Sequence, residues 1–260
     1  MNSSVCIVGV GMRPAAHMTP DVSEAIRTSD EVYYLLADPL AELDLLALRP
    51  DAANLYEEYS SKANRRESYA DVADRVISRA IAGASVCFVT YGDPSFGTIS
   101  TSMIRNSCLD MEIPIRVLPG VSSVACLTAD LGIDFLVSGV TGSDCNRLLR
   151  LPSSALSTVV GDVLVLWQPA SVSSYELSPS VSASDQRELG RRIALLMGDE
   201  ASLFRYRAGA AIEGFVLEHF DVSDIAGFDF ALDDTIVVVK DTALRHLPVL
   251  HRAAMRGGRG

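Results

Sequence analysis

The sequence predicts an α/β protein of two domains. Three observations predict it: short apolar, β-rich runs that stop at glycine, amphipathic stretches that follow those glycines, and a change of texture beyond about Asp134. Strands that alternate with helices build a parallel sheet, and in such sheets ligands bind at the carboxyl ends of the strands. The glycine breaks of the N-terminal part lie at such ends. The expected domains are residues 1–133 and 134–260.

The first strand is "VCIVGV", from Val5 to Val10, which enters a turn at Gly9 and Gly11. A helix follows in "TPDVSEAIRTSD", with Thr19 as N-cap, Pro20 at the first helical position and Val22, Ala25 and Ile26 on one face. "EVYYLL" is the next strand. After the polar stretch "YEEYSSKANRRESY", Val72, Ala73, Val76, Ile77, Ala80 and Ile81 recur with helical period up to Gly83, the C-cap. "ASVCFVTYGDPSFG" is a strand that breaks at Gly92, where Pro94 forbids its continuation. "IPIRVLPGVSSVACLTADLGID" repeats the scheme: strand, break at Pro119 and Gly120, helix opened by Ser122 or Ser123. The C-terminal part reads as strands in "DVLVLWQP", "SLFRYRAG", "IEGFVLEHF" and "DTIVVVKD", a helix in "DQRELGRRIALLM", and a frayed basic tail, "HRAAMRGGRG".

Composition narrows the function classes. A formal net charge of -11 carries no footprint of the phosphate attraction that drives nucleic-acid binding. No apolar run approaches the roughly 20 residues of a membrane span, and "MNSSVCIVGVG" lacks the basic and apolar regions of a signal peptide. The expected setting is the cytoplasm, without membrane or nucleic acid as partner. Cys6, Cys87 and Cys126 sit inside apolar runs and read as buried thiols; neither the odd count of five nor the spacing makes a disulfide frame or zinc site. His17, His219, His246 and His251 are scattered, so no metal is expected.

Candidate chemistry lies in three places. "GVG" after a strand lacks the third glycine of a dinucleotide fingerprint, since Pro14 stands there. "TYGDPSFG" holds backbone N–H groups and the Asp93 carboxylate in a fixed crook that suits a small polar ligand; a plain turn explains the same residues. The polar stretch joins Tyr56, Tyr59 and Tyr69 with Arg65 and Arg66. Phenols are donor and acceptor at once and a guanidinium is permanently charged, so the set can move a proton or stabilise developing negative charge. The plainer reading packs Tyr56 and Tyr59 on the sheet and turns the arginines to solvent.

Taken in order, "VGVG", "YGDPSFG", "LPGVSSVACLTADLGID" and "VLVLWQP" resemble the tetrapyrrole-methylase-like class of S-adenosylmethionine-dependent methyltransferases across nearly the whole chain. "YEEYSSKANRRESY" resembles, within that class, the borosin peptide backbone α-N-methyltransferases. The resemblance implies two α/β domains with a cofactor cleft between them and an interlocked homodimer. It implies catalytic roles for Tyr56, Tyr59, Arg65, Tyr69 and Tyr91, and cofactor binding by Tyr91, Asp93, Phe96, Ser122, Ser123 and Gln168. Arg65 is chosen over Arg66 because it stands four residues before Tyr69 and shares its helix face if the helix begins there. Asp93 departs from the histidine of the borosin subgroup and resembles the glycine-aspartate-proline of porphyrinoid enzymes.

The function so implied is iterative methylation of backbone amides in a ribosomal precursor peptide. No apolar core peptide follows "TIVVVKDTALRHLPVLHRAAMRGGRG", so a separate precursor is expected as partner. The implied mechanism has Arg65 and Tyr69 donating to the substrate carbonyl while Tyr59 takes or relays the amide proton with help from Tyr56. Tyr59 acts as a base only where its surroundings lower a phenol pKa of about 10 or the proton leaves through water. The alternatives are methylation of a tetrapyrrole or other small molecule, and a non-catalytic protein that binds the cofactor or a peptide.

Overall fold

A computed structural model of the protein describes residues 3–36, 38–60, 64–152, 161–174, 176, 181–209 and 214–257. The chain divides into two compact units, Met1–Cys126 and Leu127–Gly260.

In the first unit the strands are β1 (Ser4–Gly9), β2 (Glu31–Leu35), β3 (Ala53–Asn54), β4 (Ser85–Thr90) and β5 (Ile115–Leu118). They form one parallel sheet in the order β3-β2-β4-β1-β5. The helices are α1 (Pro14–His17), α2 (Pro20–Thr28), α3 (Pro39–Leu48), α4 (Tyr56–Ser60), α5 (Arg65–Ile81), α6 (Ile99–Asp110) and α7 (Ser123–Leu131), which ends in the second unit. Strand side chains alternate between faces, and both faces are apolar. Val5, Ile7, Val86 and Phe88 pack with Val72, Val76 and Ile77 of α5 and Ile104 and Cys108 of α6. Val8, Val32, Tyr34, Cys87 and Val89 pack with Val22 and Ile26 of α2 and Ala41 and Leu45 of α3. A sheet covered on both sides explains strands that read as continuous apolar runs rather than as alternation.

The N-cap of α2 is Thr19, whose hydroxyl accepts from the Val22 N–H, with Pro20 in the first turn. Helix α5 buries Val72, Ala73, Val76, Ile77 and Ala80. Ile81 departs from the expected face and is 62% exposed. The chain leaves this helix through Gly83 at φ +99°, a conformation that glycine adopts without strain.

The second unit contains β6 (Val140–Asp144), β7 (Val163–Trp167), β8 (Ser202–Arg207), β9 (Val216–Phe220) and β10 (Thr235–Val239), in the order β6-β7-β10-β8-β9. Among the described strands only β6 and β7 run parallel; the other pairs are antiparallel. Its helices are α8 (Cys145–Arg150), α9 (Ala183–Met197), α10 (Asp241–Leu244) and α11 (Pro248–Gly257). Leu189 and Ile193 of α9 cover one face of the sheet. Leu127, Leu131, Ile133, Leu244, Leu247 and Leu250 cover the other.

Two expectations are corrected. The tail through Gly257 is helix α11 rather than a frayed end, because Leu250 is fully buried against the sheet and anchors it. Cys87 is buried, whereas Cys6 and Cys126 are only partly so. Cys6 packs against its apolar layer without being enclosed by it, and Cys126 sits on α7 one residue before the buried Leu127. All five cysteines are free thiols.

Candidate functional site

The parallel register sets Gly9 beside Thr90 and Val8 beside Leu118, so the turns after β1, β4 and β5 meet at one edge of the first sheet. There they pack backbone on backbone. Gly11 and Gly92 exchange N–H···O bonds at 3.1 Å. A Cβ on Gly9 would stand 2.4 Å from the Gly92 oxygen and 2.9 Å from the Gly120 nitrogen, and one on Gly120 would stand 2.2 Å from that same oxygen. Only glycine fits either position.

The side chains that flank this edge are few. The Asp93 carboxylate accepts the Ser95 N–H at 2.7 Å and is partly buried. That bond makes it the keystone of its turn. The Phe96 ring is 38% exposed. Ser122 caps α7 by accepting the Ala125 N–H at 3.1 Å, and its own O–H remains a donor; Ser123 is the first residue of the helix. In the second unit, Gln168 follows β7 in the left-handed conformation, φ 63°. Backbone N–H groups, a carboxylate, hydroxyls and an exposed ring suit a ligand that carries hydroxyl groups, an amine and a flat heterocycle.

Within the tyrosine stretch, Tyr56–Ser60 form α4 and Arg65 opens α5. Asn54 Oδ1 accepts the Tyr56 N–H at 2.8 Å as α4 opens. Asn64 then starts α5 by accepting the Arg66 N–H at 2.9 Å. With Arg65 as first residue, Arg65 and Tyr69 stand one turn apart on a shared face. Arg65 is partly buried and Arg66 is exposed. The Tyr56 and Tyr59 ring centroids are 6.2 Å apart, and those of Tyr59 and Tyr69 are 5.6 Å apart.

These phenols share one cavity of about 230 Å³. Tyr56, Tyr59, Tyr69 and Tyr91 line it, with Leu35 and Leu36 supplying apolar wall and Thr90, Gly97, Thr98 and Ser100 the rest. Tyr91 is fixed by donating to the Met12 carbonyl at 3.2 Å, which ties the cavity to the glycine edge. Arg65, Asp93 and Phe96 are not on its wall. The Arg65 charge nevertheless reaches the Tyr59 phenol.

Burial pushes the Tyr59 phenol well above its ordinary value, and the charge and hydrogen bond of Tyr69 push the same way; Arg65 pulls it down by less. A base needs the opposite. Of the two expected roles, taking or relaying the amide proton, these surroundings favour the protonated relay over the phenolate base. Tyr56, in contrast, is 56% exposed and reaches solvent. The plainer packing reading accounts for Tyr59, which leans on the buried apolar cluster beneath the sheet, but not for the exposed Tyr56.

Sequence reasoning missed Leu35, Leu36, Thr90, Gly97, Thr98 and Ser100. Leucine and threonine at a strand end are ordinary core residues by type, and Ser100 carries no local signal because serine is common in first turns. Only the position of "TYGDPSFGTIS" after a buried strand marks the segment. Among the described residues no group of three or more His, Cys, Asp or Glu side chains is placed to hold a metal. No described helix is long and apolar enough to cross a membrane.

Residues 4–173 match the family of Tetrapyrrole (Corrin/Porphyrin) Methylases. The chain is 27% identical over 225 residues to a methyltransferase/ribosomally synthesized type I borosin cyclic peptide precursor of Coprinopsis marcescibilis, covering 84% of this chain and 56% of the relative. It is 31% identical over 135 residues to the methyltransferase/ribosomally synthesized cyclic peptide lentinulin A precursor of Lentinula edodes, covering 51% of this chain and 32% of the relative. The chain thus spans about a third to somewhat over half of the length of these relatives. Among solved structures, uroporphyrin-III C-methyl transferase from Thermus thermophilus, complexed with S-adenyl homocysteine, superposes with a TM-score of 0.64 at 16% identity, over 91% of this chain and 97% of that one. That likeness shows the fold.

Proposed function

The chain belongs to the tetrapyrrole (corrin/porphyrin) methylase family, whose cofactor is S-adenosylmethionine, and from that premise we propose that it iteratively methylates backbone amide nitrogens of a separate ribosomal precursor peptide. The observation that carries the proposal is the convergence of Tyr56, Tyr59, Tyr69 and Tyr91 on one cavity at the glycine-bearing edge of the sheet. The borosin relatives support it, since their names join a methyltransferase to a cyclic peptide precursor.

S-adenosylmethionine, when bound, supplies an electrophilic methyl group on a sulfonium. Its ribose hydroxyls, amine and adenine have the chemistry that the glycine edge suits. Asp93, Phe96, Ser122 and Ser123 would hold it, and Gln168 keeps the same proposed role; Tyr91, anchored on Met12, would orient its reactive end.

An amide nitrogen is a poor nucleophile because its lone pair is delocalised into the carbonyl. Arg65 and Tyr69, one turn apart, donate to the carbonyl oxygen and stabilise the negative charge that gathers there as the N–H proton leaves. Tyr59, held protonated, relays that proton: it accepts at oxygen while passing its own toward Tyr56, whose exposed hydroxyl delivers it to water. The working assembly proposed is a homodimer in the cytoplasm, a setting consistent with five free thiols. Sedimentation equilibrium checks the assembly, and a monomer at assay concentration would remove it.

One observation favours a second reading, methylation of a tetrapyrrole or related small molecule: Asp93 resembles the porphyrinoid pattern. The phenols gathered on one cavity, with the Arg65 charge reaching Tyr59, favour the peptide. Incubation with labelled S-adenosylmethionine and either an apolar peptide or uroporphyrinogen III separates the readings. Label must enter the peptide; label in the macrocycle alone would reverse the choice.

A further inference from the structure

The first turn of α6 holds a polar group that the proposed chemistry leaves unused. Ser100 is 1% exposed, and its Oγ is buried with no hydrogen-bond partner among the described residues. A serine in a helix ordinarily satisfies such a hydroxyl on the carbonyl one turn back; leaving that bond unmade in a buried place is destabilising. Ser100 lines the tyrosine cavity. So do Gly97 and Thr98, which lead into the helix, and Thr98, the N-cap residue, makes no side-chain cap. The 12-residue helix therefore sets its uncapped, electropositive end beside this space, with a spare hydroxyl in the wall.

We infer that Ser100 Oγ, aided by the α6 N-terminus, is a second carbonyl-binding point that fixes the peptide's register against the tyrosines. The inference rests on the reading of this cavity as the peptide site. The ligand atom must be an acceptor, because a hydroxyl and helix N–H groups are offered to it. It is a neutral carbonyl rather than a carboxylate: the wall among the described residues is leucine, tyrosine, threonine, glycine and serine, and Arg65, whose charge reaches Tyr59, is committed to the reacting carbonyl and leaves no second cation on that wall to offset the burial of a full charge. An extended chain advances about 3.3–3.6 Å per residue, so while Arg65 and Tyr69 hold the carbonyl of the reacting amide, Ser100 holds that of a neighbouring unit. Recognition through backbone carbonyls makes the site tolerant of side-chain identity, as a methylase that advances along a peptide requires.

The test uses the full chain with Ser100→Ala and the nearly isosteric, weaker donor Ser100→Cys. Titration calorimetry reads two affinities separately: S-adenosylhomocysteine alone, and a neutral, blocked valine-glycine peptide in its presence. Ser100→Ala should weaken peptide binding about tenfold, Ser100→Cys by less, with S-adenosylhomocysteine affinity unchanged and the Tm of the free protein equal or higher, since an unsatisfied hydroxyl has gone. Equal peptide affinity in both variants overturns the inference while leaving peptide methylation intact. Loss of S-adenosylhomocysteine affinity with peptide binding preserved assigns the hydroxyl to the cofactor carboxylate and overturns it as well. Wild-type protein that binds no peptide defeats the peptide reading itself, and is recognised because no variant is involved.

Discussion

Replacing Tyr69 by phenylalanine removes one oxygen and little else. The ring that stands 5.6 Å from Tyr59 is retained, so packing and Tm should hardly change. What disappears is one of the two donors assigned to the substrate carbonyl. Loss of a single donor to a developing oxyanion costs about 10²–10³ in kcat, or roughly 2.7–4 kcal/mol. A second consequence has the same origin: Tyr69 contributes, after burial, to holding the Tyr59 phenol up, so Tyr59 should move toward its ordinary acidity. The assay is single-turnover methylation of peptide at saturating S-adenosylmethionine, followed by mass spectrometry, with cofactor affinity measured in parallel. We expect kcat to fall at least 10²-fold with cofactor affinity intact. A variant whose kcat stays within about twofold of wild type, far short of that loss, would refute the carbonyl grip; an effect confined to cofactor affinity would place Tyr69 elsewhere.

Arg65→Lys keeps the charge and loses the planar fork, so kcat should drop by about tenfold or more, while Arg66→Ala, on an exposed side chain, should leave turnover unchanged; equal effects would contradict the register of α5. Asp93→Asn retains the acceptor for the Ser95 N–H at 2.7 Å and removes only the charge; calorimetry should show weaker S-adenosylmethionine binding at constant Tm, and an unchanged constant would reduce Asp93 to a turn residue. The Arg79 guanidinium beside Glu31 holds that carboxyl at about 2, against an ordinary 4.5. A depressed carboxyl pKa stabilises the fold above the unfolded value and loses its effect as pH falls toward the folded one. Wild-type Tm should therefore decline more steeply below pH 4.5 than that of Glu31→Gln, and parallel curves would show the pair to be without consequence.

The parallel sheet was legible because its strands are buried on both faces, so "VCIVGV" and "SVCFVTYG" are unbroken apolar runs that end at glycines with close backbone neighbours. Helix α3 carried its own signal, Asp38 accepting the Leu40 N–H with Pro39 in the first turn, yet leucines spread around its circumference hide any period. Helix α6 is harder to see: "ISTSMIRNSCLD" mixes β-branched and hydroxyl residues, and it is helical because Ile104 and Cys108 reach the core. At the site, residue types and spacing identified the phenols and the guanidinium, which are unusual together. They did not give the sign of the Tyr59 shift, which arises from burial and from Tyr69, nor the orphan hydroxyl of Ser100. Both depend on what the fold packs around a group, and neighbours in space are not neighbours in sequence.

The most direct test is to locate the methyl group. The protein is incubated with S-adenosylmethionine and an apolar peptide, and tandem mass spectrometry assigns each added methyl to a backbone nitrogen, a side chain or neither. The tyrosine cavity predicts successive methyl additions on backbone amide nitrogens, abolished in a Tyr69→Phe, Arg65→Lys double variant that still binds cofactor. Peptide recovered without methyl groups, beside a methylated tetrapyrrole from the same reaction, would contradict it.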